Sequence, residues 1–340
     1  MKMKHAIKVL VTGANGFIGS HLTKGLLDKD YDVNALVRKT SNLGELGQIN
    51  NKNFKLVYGD VTDYGSLLKT TKDINAIIHL AGVIHQVNVE DSFYYDINVK
   101  GTENILKACI ENKIKLKKFV HCGSVACYGN LKDPDSTILD EAYPSSPENI
   151  YGKTKYESEV VAFKIAKEHN IPLTVIRPGR VYGEGDYTLK PLLKLIKKRL
   201  FFHVGSDKCY MMPVYIDDLV NAFILALENP KAAGNAYIIT GEEAITKKEF
   251  TDLIAKELGV KSNKISFPKS LVVPSVYVLE KIFLLLNKEP PISRKKLRFF
   301  LASRRYSIEK AKKELGFKPQ ININIGVKRT IDWYNKMNLI

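Results

Sequence analysis

The chain has 340 residues and carries 52 Lys and Arg against 36 Asp and Glu, a formal net charge of +16. That length holds a main domain and a smaller lobe, and its four scattered cysteines lack paired metal-ligand spacing, so they read as free thiols of a reducing, cytoplasmic compartment. With no recognition fold and no aromatics interleaved among the cations, the positive charge does not indicate nucleic acid.

The N-terminal residues Met1-Lys2-Met3-Lys4-His5 run directly into the first predicted strand and leave no room for a signal peptide. Ile7 to Val11 is a short apolar run of the kind a strand buried on both faces requires. Gly13, Gly16 and Gly19 follow at spacings of three, and Leu22, Leu26 and Leu27 continue at helical period. Glycine permits the sharp turn, the close approach of backbone to a pyrophosphate and the close packing of helix on strand. The following helix N-terminus offers free N–H groups and a positive dipole end. A dinucleotide site is therefore predicted over Gly13, Asn15, Gly16, Phe17, Ile18 and Gly19. The spacing G-x-x-G-x-x-G departs from the commoner G-x-G-x-x-G.

The second predicted strand, Val33 to Val37, ends in Arg38-Lys39-Thr40-Ser41 with no acid. An acid at this place would hold a ribose 2′-hydroxyl, whereas Arg38 and Ser41 suit a 2′-phosphate. NADP(H) is thereby favoured, with NAD(H) as the alternative. Predicted strands continue at Phe54–Tyr58, Ala76–Leu80 and Phe119–Cys122, and the stretches between them, including Asn98–Asn112, carry helical patterning. Such alternation predicts an α/β fold with a doubly wound parallel sheet and a ligand outside the carboxyl ends of its strands. Tyr151 and Lys155 then place a phenol and an ammonium one helical turn apart.

Beyond Phe267 the stretch from Leu271 to Leu286 is almost wholly apolar, broken by Pro274, Ser275, Glu280 and Lys281. Its sixteen residues fall short of the roughly twenty that span a bilayer. Residues 261–340 hold 18 Lys and Arg against 5 Asp and Glu, so most of the excess charge lies here. This concentration fits an anionic or lipid-like substrate or contact with an anionic membrane surface; a solvated basic helix is the plainer reading.

The chain resembles the extended short-chain dehydrogenase/reductase family, the epimerase–dehydratase–reductase group. The glycine motif carries the resemblance together with Gly59-Asp60-Val61-Thr62-Asp63, His79-Leu80-Ala81-Gly82 and Asn98-Val99-Lys100-Gly101-Thr102. It continues through Gly123-Ser124-Val125-Ala126-Cys127-Tyr128-Gly129, Tyr151-Gly152-Lys153-Thr154-Lys155, Arg177-Pro178-Gly179-Arg180-Val181-Tyr182-Gly183 and Val214-Tyr215-Ile216-Asp217-Asp218. The resemblance implies a Rossmann fold with a smaller, interwoven C-terminal substrate-binding lobe. Residues 1–178 would form the cofactor domain, rejoined by 214–241, and residues 179–213 and 242–340 the lobe. It implies a Ser124, Tyr151, Lys155 centre, in which Lys155 and an oxidised nicotinamide lower the phenol pKa. Asp60 and Val61 would line the adenine, Leu80, Ala81, Gly82 and Asn98 would flank the cofactor, and Pro178 and Val181 would touch its nicotinamide end. His85, Val125 and Arg180 would face the substrate, and His79 would be structural. A homodimer is expected by analogy.

Relatives that eliminate water or carbon dioxide carry carboxylates directly after the serine, where this chain has Val125, Ala126 and Cys127. The layout after Phe267, with Ser307-Ile308-Glu309-Lys310-Ala311 and Leu315-Gly316-Phe317-Lys318-Pro319, is similar to the branch of 3β-hydroxysteroid dehydrogenases and dihydroflavonol reductases. In that branch the apolar helices cap a substrate cavity. The expected activity is hydride transfer between a nicotinamide and a carbonyl or secondary alcohol of an apolar or acyl substrate. A nucleotide-sugar 4-epimerase or 4-ketosugar reductase is the alternative.

Overall fold

The computed structural model describes residues 7–84, 89–129, 131, 136–205, 208–263, 265–286, 297 and 302–340. Strand β1 (Lys8–Thr12) passes through the glycine loop into α1 (Phe17–Leu27), and β2 (Asp32–Val37), β3 (Phe54–Tyr58), α2 (Tyr64–Thr70) and β4 (Ala76–His79) follow. Helix α3 (Asp91–Tyr95), a π turn (Asp96–Lys100) and α4 (Gly101–Glu111) run head to tail into β5 (Lys118–Cys122). The long α5 (Ile150–Glu168), β6 (Leu173–Pro178), α6 (Lys190–Lys197), α7 (Ile216–Glu228) and β7 (Asn235–Ile239) come next. Helices α8 (Lys247–Glu257), α9 (Lys269–Leu285) and α10 (Ile323–Lys336) complete the helical layers.

The seven strands pair in the order β3-β2-β1-β4-β5-β6-β7, every pair parallel. Their near-continuous apolar sequences follow from burial on both faces. Val9, Val11, Val33, Ala35 and Ile78 pack with Leu22 and Leu26 of α1 and Phe223 of α7. Leu10, Leu36, Ile77 and Phe119 point the other way, onto Leu67 of α2, Ile105 and Leu106 of α4 and Ile165 of α5. Truncating one such fully buried Leu to Ala costs about 2–5 kcal/mol. The strand order reverses between β1 and β4, which opens a crevice at their carboxyl ends.

Two-residue strands knit the rest of the chain to this sheet. Ile138–Leu139 pairs with Arg305–Tyr306, Val181–Tyr182 with Val214–Tyr215, and His203–Val204 with Ser266–Phe267, all parallel; Tyr210–Met211 runs antiparallel to Ile245–Thr246. The Asp218 carboxylate accepts from the backbone N–H groups of Gln320 (2.8 Å) and Ile321 (3.1 Å), which fastens the chain before α10 to α7.

Two local expectations change. Asn98 lies in the π turn rather than in regular helix, and such turns are frequent at functional sites. Helix α9 leaves many of its apolar side chains outward. Val276 is buried, whereas Leu271, Val278 and Leu285 are 62%, 55% and 84% exposed.

Candidate active site

The crevice starts at the glycine loop. Gly13 has φ +64°, and a Cβ there would stand 2.9 Å from the backbone nitrogen of Ala81. A Cβ at Gly19 would stand 2.2 Å from the carbonyl oxygen of Gly13, so α1 begins almost in contact with its own loop. No side chain caps α1 at Gly16, which leaves the first N–H groups of the helix directed at the crevice. Asn15 Nδ2 donates to the carbonyl oxygen of Asn42 (3.2 Å), bringing the loop beside the segment that follows β2. Arg38 is exposed at the end of that strand, with Ser41 nearby. Phe17 and Ile18 are half-buried against the core. The Asp60 carboxylate accepts from Thr62 N (2.9 Å) and Thr62 Oγ1 (2.8 Å), closing its own turn, while Val61 packs on Gly101. An uncapped helix start above a backbone cradle fits a dinucleotide pyrophosphate.

Behind this cradle runs a directed chain of hydrogen bonds. Thr12 Oγ1 accepts from the backbone N–H groups of Leu80 and Ala81 (3.1 Å each), so its proton goes to His79 Nδ1 at 2.7 Å. His79 Nε2 then donates to Thr102 Oγ1 (3.1 Å), whose hydroxyl donates to the Asn98 carbonyl (2.7 Å). Asn98 Oδ1 accepts from Val83 N (2.8 Å), and Asn98 Nδ2 donates to Thr154 Oγ1 on α5 (2.9 Å). The His79 ring is neutral in this chain, and burial pulls its pKa down to about 3. Its predicted structural place agrees with these bonds.

Two glycines let β5 and α5 meet. A Cβ at Gly152 would stand 2.5 Å from the Ala126 carbonyl oxygen, and one at Gly123 would stand 2.2 Å from Glu159 Oε1. Asn149 caps α5 by accepting from Gly152 N (2.9 Å). Ser124 accepts from Ala126 N (3.1 Å) and hydrogen-bonds the Tyr151 phenol. Lys155, one turn on, is buried, and a Cβ at Gly82 would lie 3.7 Å from its Nζ. The structure thus gathers Ser124, Tyr151, Lys155, Gly82 and Asn98 at one end of the crevice.

The protein groups by themselves set the following charge states. Burial pushes the Tyr151 phenol up to about 12, against a downward pull from Ser124. Burial also pulls the Lys155 ammonium below its ordinary value, with Cys122 and Glu159 acting the other way. The protein groups alone therefore hold Tyr151 protonated, because removing a phenolate from water outweighs the stabilisation its neighbours give. Burial likewise pushes the Cys127 thiol up to about 12, so the cysteine after Ser124 is no thiolate nucleophile.

Glu159 is the site residue that sequence reading missed. It is buried on the Lys155 face of α5 and accepts from Arg177 Nη2 (2.7 Å) and Nε (2.9 Å), while Arg177 Nη1 donates to the Tyr128 hydroxyl (2.7 Å). An acid eight residues after Tyr151 and four after Lys155 shares their helix face, which was the available signal. Arg180, expected at the substrate, is engaged by Asp186 (2.8 Å) and Thr188 (2.8 Å). Val125 opens the turn after Ser124, half-buried; Pro178 ends β6, and Val181 pairs with Val214. His85 lies outside the described residues. Among the described residues no helix is long and apolar enough to cross a membrane, and no cluster of His, Cys, Asp and Glu could hold a metal.

The family model for the NAD dependent epimerase/dehydratase family matches residues 9–240. Over 96% of its length the chain is 27% identical to the 3beta-hydroxysteroid-dehydrogenase/decarboxylase isoform 1 of Arabidopsis thaliana, covering 80% of that protein. It is also 27% identical, over 96% of its length and 94% of the other, to the N-acetyl-alpha-D-glucosaminyl-diphospho-ditrans,octacis-undecaprenol 4-epimerase of Escherichia coli O157:H7. The fold superposes on UDP-glucuronic acid 4-epimerase from Bacillus cereus in complex with UDP-glucuronic acid and NAD. That match has a TM-score of 0.77 at 25% identity, over 97% of this chain and 100% of that one.

Proposed function

The chain belongs to the NAD dependent epimerase/dehydratase family, and from that premise we propose that it is a reductase or dehydrogenase acting on one carbonyl or secondary alcohol of an apolar, lipid-like substrate. The observation that carries this reading is the Ser124–Tyr151 hydrogen bond beside buried Lys155. A nicotinamide cofactor, when bound, supplies or accepts the hydride. The residues of α1 and its glycine loop would hold its pyrophosphate, and Arg38 with Ser41 would favour a 2′-phosphate, hence NADP(H) over NAD(H).

In the reducing direction Ser124 donates a hydrogen bond to the substrate carbonyl oxygen and Tyr151 gives that oxygen its proton. A phenol held near pKa 12 is fully protonated at neutral pH, the state a proton donor needs. In the oxidising direction Tyr151 must first become a phenolate. Lys155 and the positive charge of an oxidised nicotinamide then supply the stabilisation that the other protein groups do not.

Two relatives act, by name, on a hydroxysteroid and on an undecaprenol-linked sugar, and this supports a lipid-like substrate. The absence of a carboxylate after Ser124 argues against elimination of water. It does not argue against loss of carbon dioxide from a carbon next to a newly formed ketone, since the ketone itself takes up the electron pair. The second reading, a sugar 4-epimerase, is favoured by the match to an epimerase solved with NAD.

The test is a panel of carbonyl substrates followed by nicotinamide absorbance. The wild-type chain is expected to consume NADPH with an apolar ketone. Tyr151→Phe is expected to lower turnover about 10²–10⁴-fold while NADPH binding stays within about threefold. Turnover that survives in Tyr151→Phe removes the proposed donor. NAD that stays bound through gel filtration would move the assignment to the epimerase.

A further inference from the structure

An apolar helix normally lies inside a protein, yet α9 presents Leu271, Val278 and Leu285 to solvent at 62%, 55% and 84% exposure. These three recur every seven residues, so they form one stripe along the helix. The stripe has an apolar neighbour. Phe202 and Phe267 are each about two-fifths exposed at 38% and 42%, and their rings meet edge to face at 5.6 Å on the strand pair that leads into α9.

The charges around this face have one sign. Lys194, Lys197, Lys198 and Arg199 are exposed at the end of α6, just before Phe202, and Lys269 and Lys281 are exposed on α9. Across residues 190–205 and 261–286 the sequence holds one acid, Glu280. A Cβ added at Gly205 would strike the Lys269 side chain at 2.5 Å, so the strand that follows α6 and its basic end lies against the start of α9.

We infer that this face rests on an anionic lipid surface, with α9 lying in the headgroup boundary. Contiguous exposed apolar surface marks an interaction site, and cations beside it select a negatively charged partner. A second copy of the chain is a poor occupant, because two such faces would bring like charges together. Among the described residues α9 is 17 residues long and interrupted by Pro274, and no helix there is long and apolar enough to cross a membrane. The inference goes beyond the proposed reaction, and its test needs neither cofactor nor substrate.

The full chain is mixed with phosphatidylcholine vesicles, with or without about a third phosphatidylglycerol, and bound protein is measured by flotation. Binding to the anionic vesicles is expected to be at least about tenfold stronger, and to weaken as salt screens the charges. Leu271→Asp/Val278→Asp/Leu285→Asp, at exposed positions, is expected to abolish binding while the thermal midpoint is retained. Lys197→Glu/Lys198→Glu/Arg199→Glu is expected to erase the preference for anionic lipid. Equal binding to both vesicle types, absence of binding, or binding unchanged in both variants overturns the inference. So does a dimer in sedimentation equilibrium that the Asp variant dissolves when the wild type binds no vesicles.

Discussion

Asn98 on the π turn and Thr154 on α5 are joined by a 2.9 Å hydrogen bond from Asn98 Nδ2 to Thr154 Oγ1. Thr154 lies between Tyr151 and Lys155 in sequence and donates in turn to the carbonyl oxygens of Ile150 (2.9 Å) and Tyr151 (3.2 Å). Since Asn98 also holds the backbone N–H of Val83, one amide fixes the loop after β4 against the helix that carries the phenol and ammonium. Asn98→Ala should therefore misplace two halves of the site while removing no reacting group. Turnover is expected to fall about a hundredfold, with NADPH affinity changed much less. Steady-state kinetics with a cofactor titration checks this, and an unaltered kcat would show that the clamp is dispensable.

Glu159 and Arg177 are the second support. Their side chains are 2% and 10% exposed, and the pair is bonded through both Nη2 and Nε. Removing one partner of such a pair strands the other charge and costs about 3–5 kcal/mol, whereas replacing both by apolar groups of similar size is often far milder. Glu159→Met and Arg177→Met should each lower the urea midpoint strongly, and the double variant should recover much of the loss. Additive losses in the double variant would mean that the pair is not coupled.

Much of this architecture was legible in the sequence because its signals are local. The apolar runs of β1 to β5 announced their strands, and Gly19 is demanded by backbone contacts with Gly13 and Ala14 within one strand–loop–helix unit, whereas the contact that demands Gly13 comes from Ala81 after β4. The spacing of Glu159 from Tyr151 and Lys155 put it on their face of α5, but nothing in the sequence named the cation it would bind. Its partner Arg177 sits on β6, eighteen residues away, and only folding brings the two together. The upward push that burial gives the phenol was not legible either, since burial is a property of the packed site and not of the Tyr151–Lys155 spacing. The pairing of Arg180 with Asp186 was likewise not legible in the sequence.

The proposed preference for NADP(H) rests on Arg38, exposed at the end of β2 beside the loop that Asn15 ties down. An exposed guanidinium is free to form two parallel bonds to a phosphate. Arg38→Ala should weaken NADPH about ten- to a hundredfold, in the range of about 1.5–3 kcal/mol for a bond to a charged group, and leave NADH nearly untouched. Fluorescence titration of both cofactors decides it. Equal losses would place Arg38 away from the 2′ position.

Acid sensitivity follows from two neutral imidazoles. His79 and His121 stack at 5.5 Å between centroids, both fully enclosed, and burial depresses both pKa values, that of His79 to about 3. His79 Nδ1 must accept from Thr12, so a proton there would break the chain of bonds that ends at Thr154. The unfolded chain takes up that proton near pH 6.5, while the native chain resists it until about pH 3. Between those values the unfolded state binds more protons, so stability is complete above pH 6.5 and falls as pH drops toward 3. The His79 imidazole adds a slope of about 1.4 kcal/mol per pH unit in that window, and His121 acts in the same direction. Urea unfolding at pH 7, 6 and 5 should show the decline, and His79→Gln, which cannot titrate, should make it shallower. An identical pH dependence in the variant would mean that His79 already carries its proton in the folded protein.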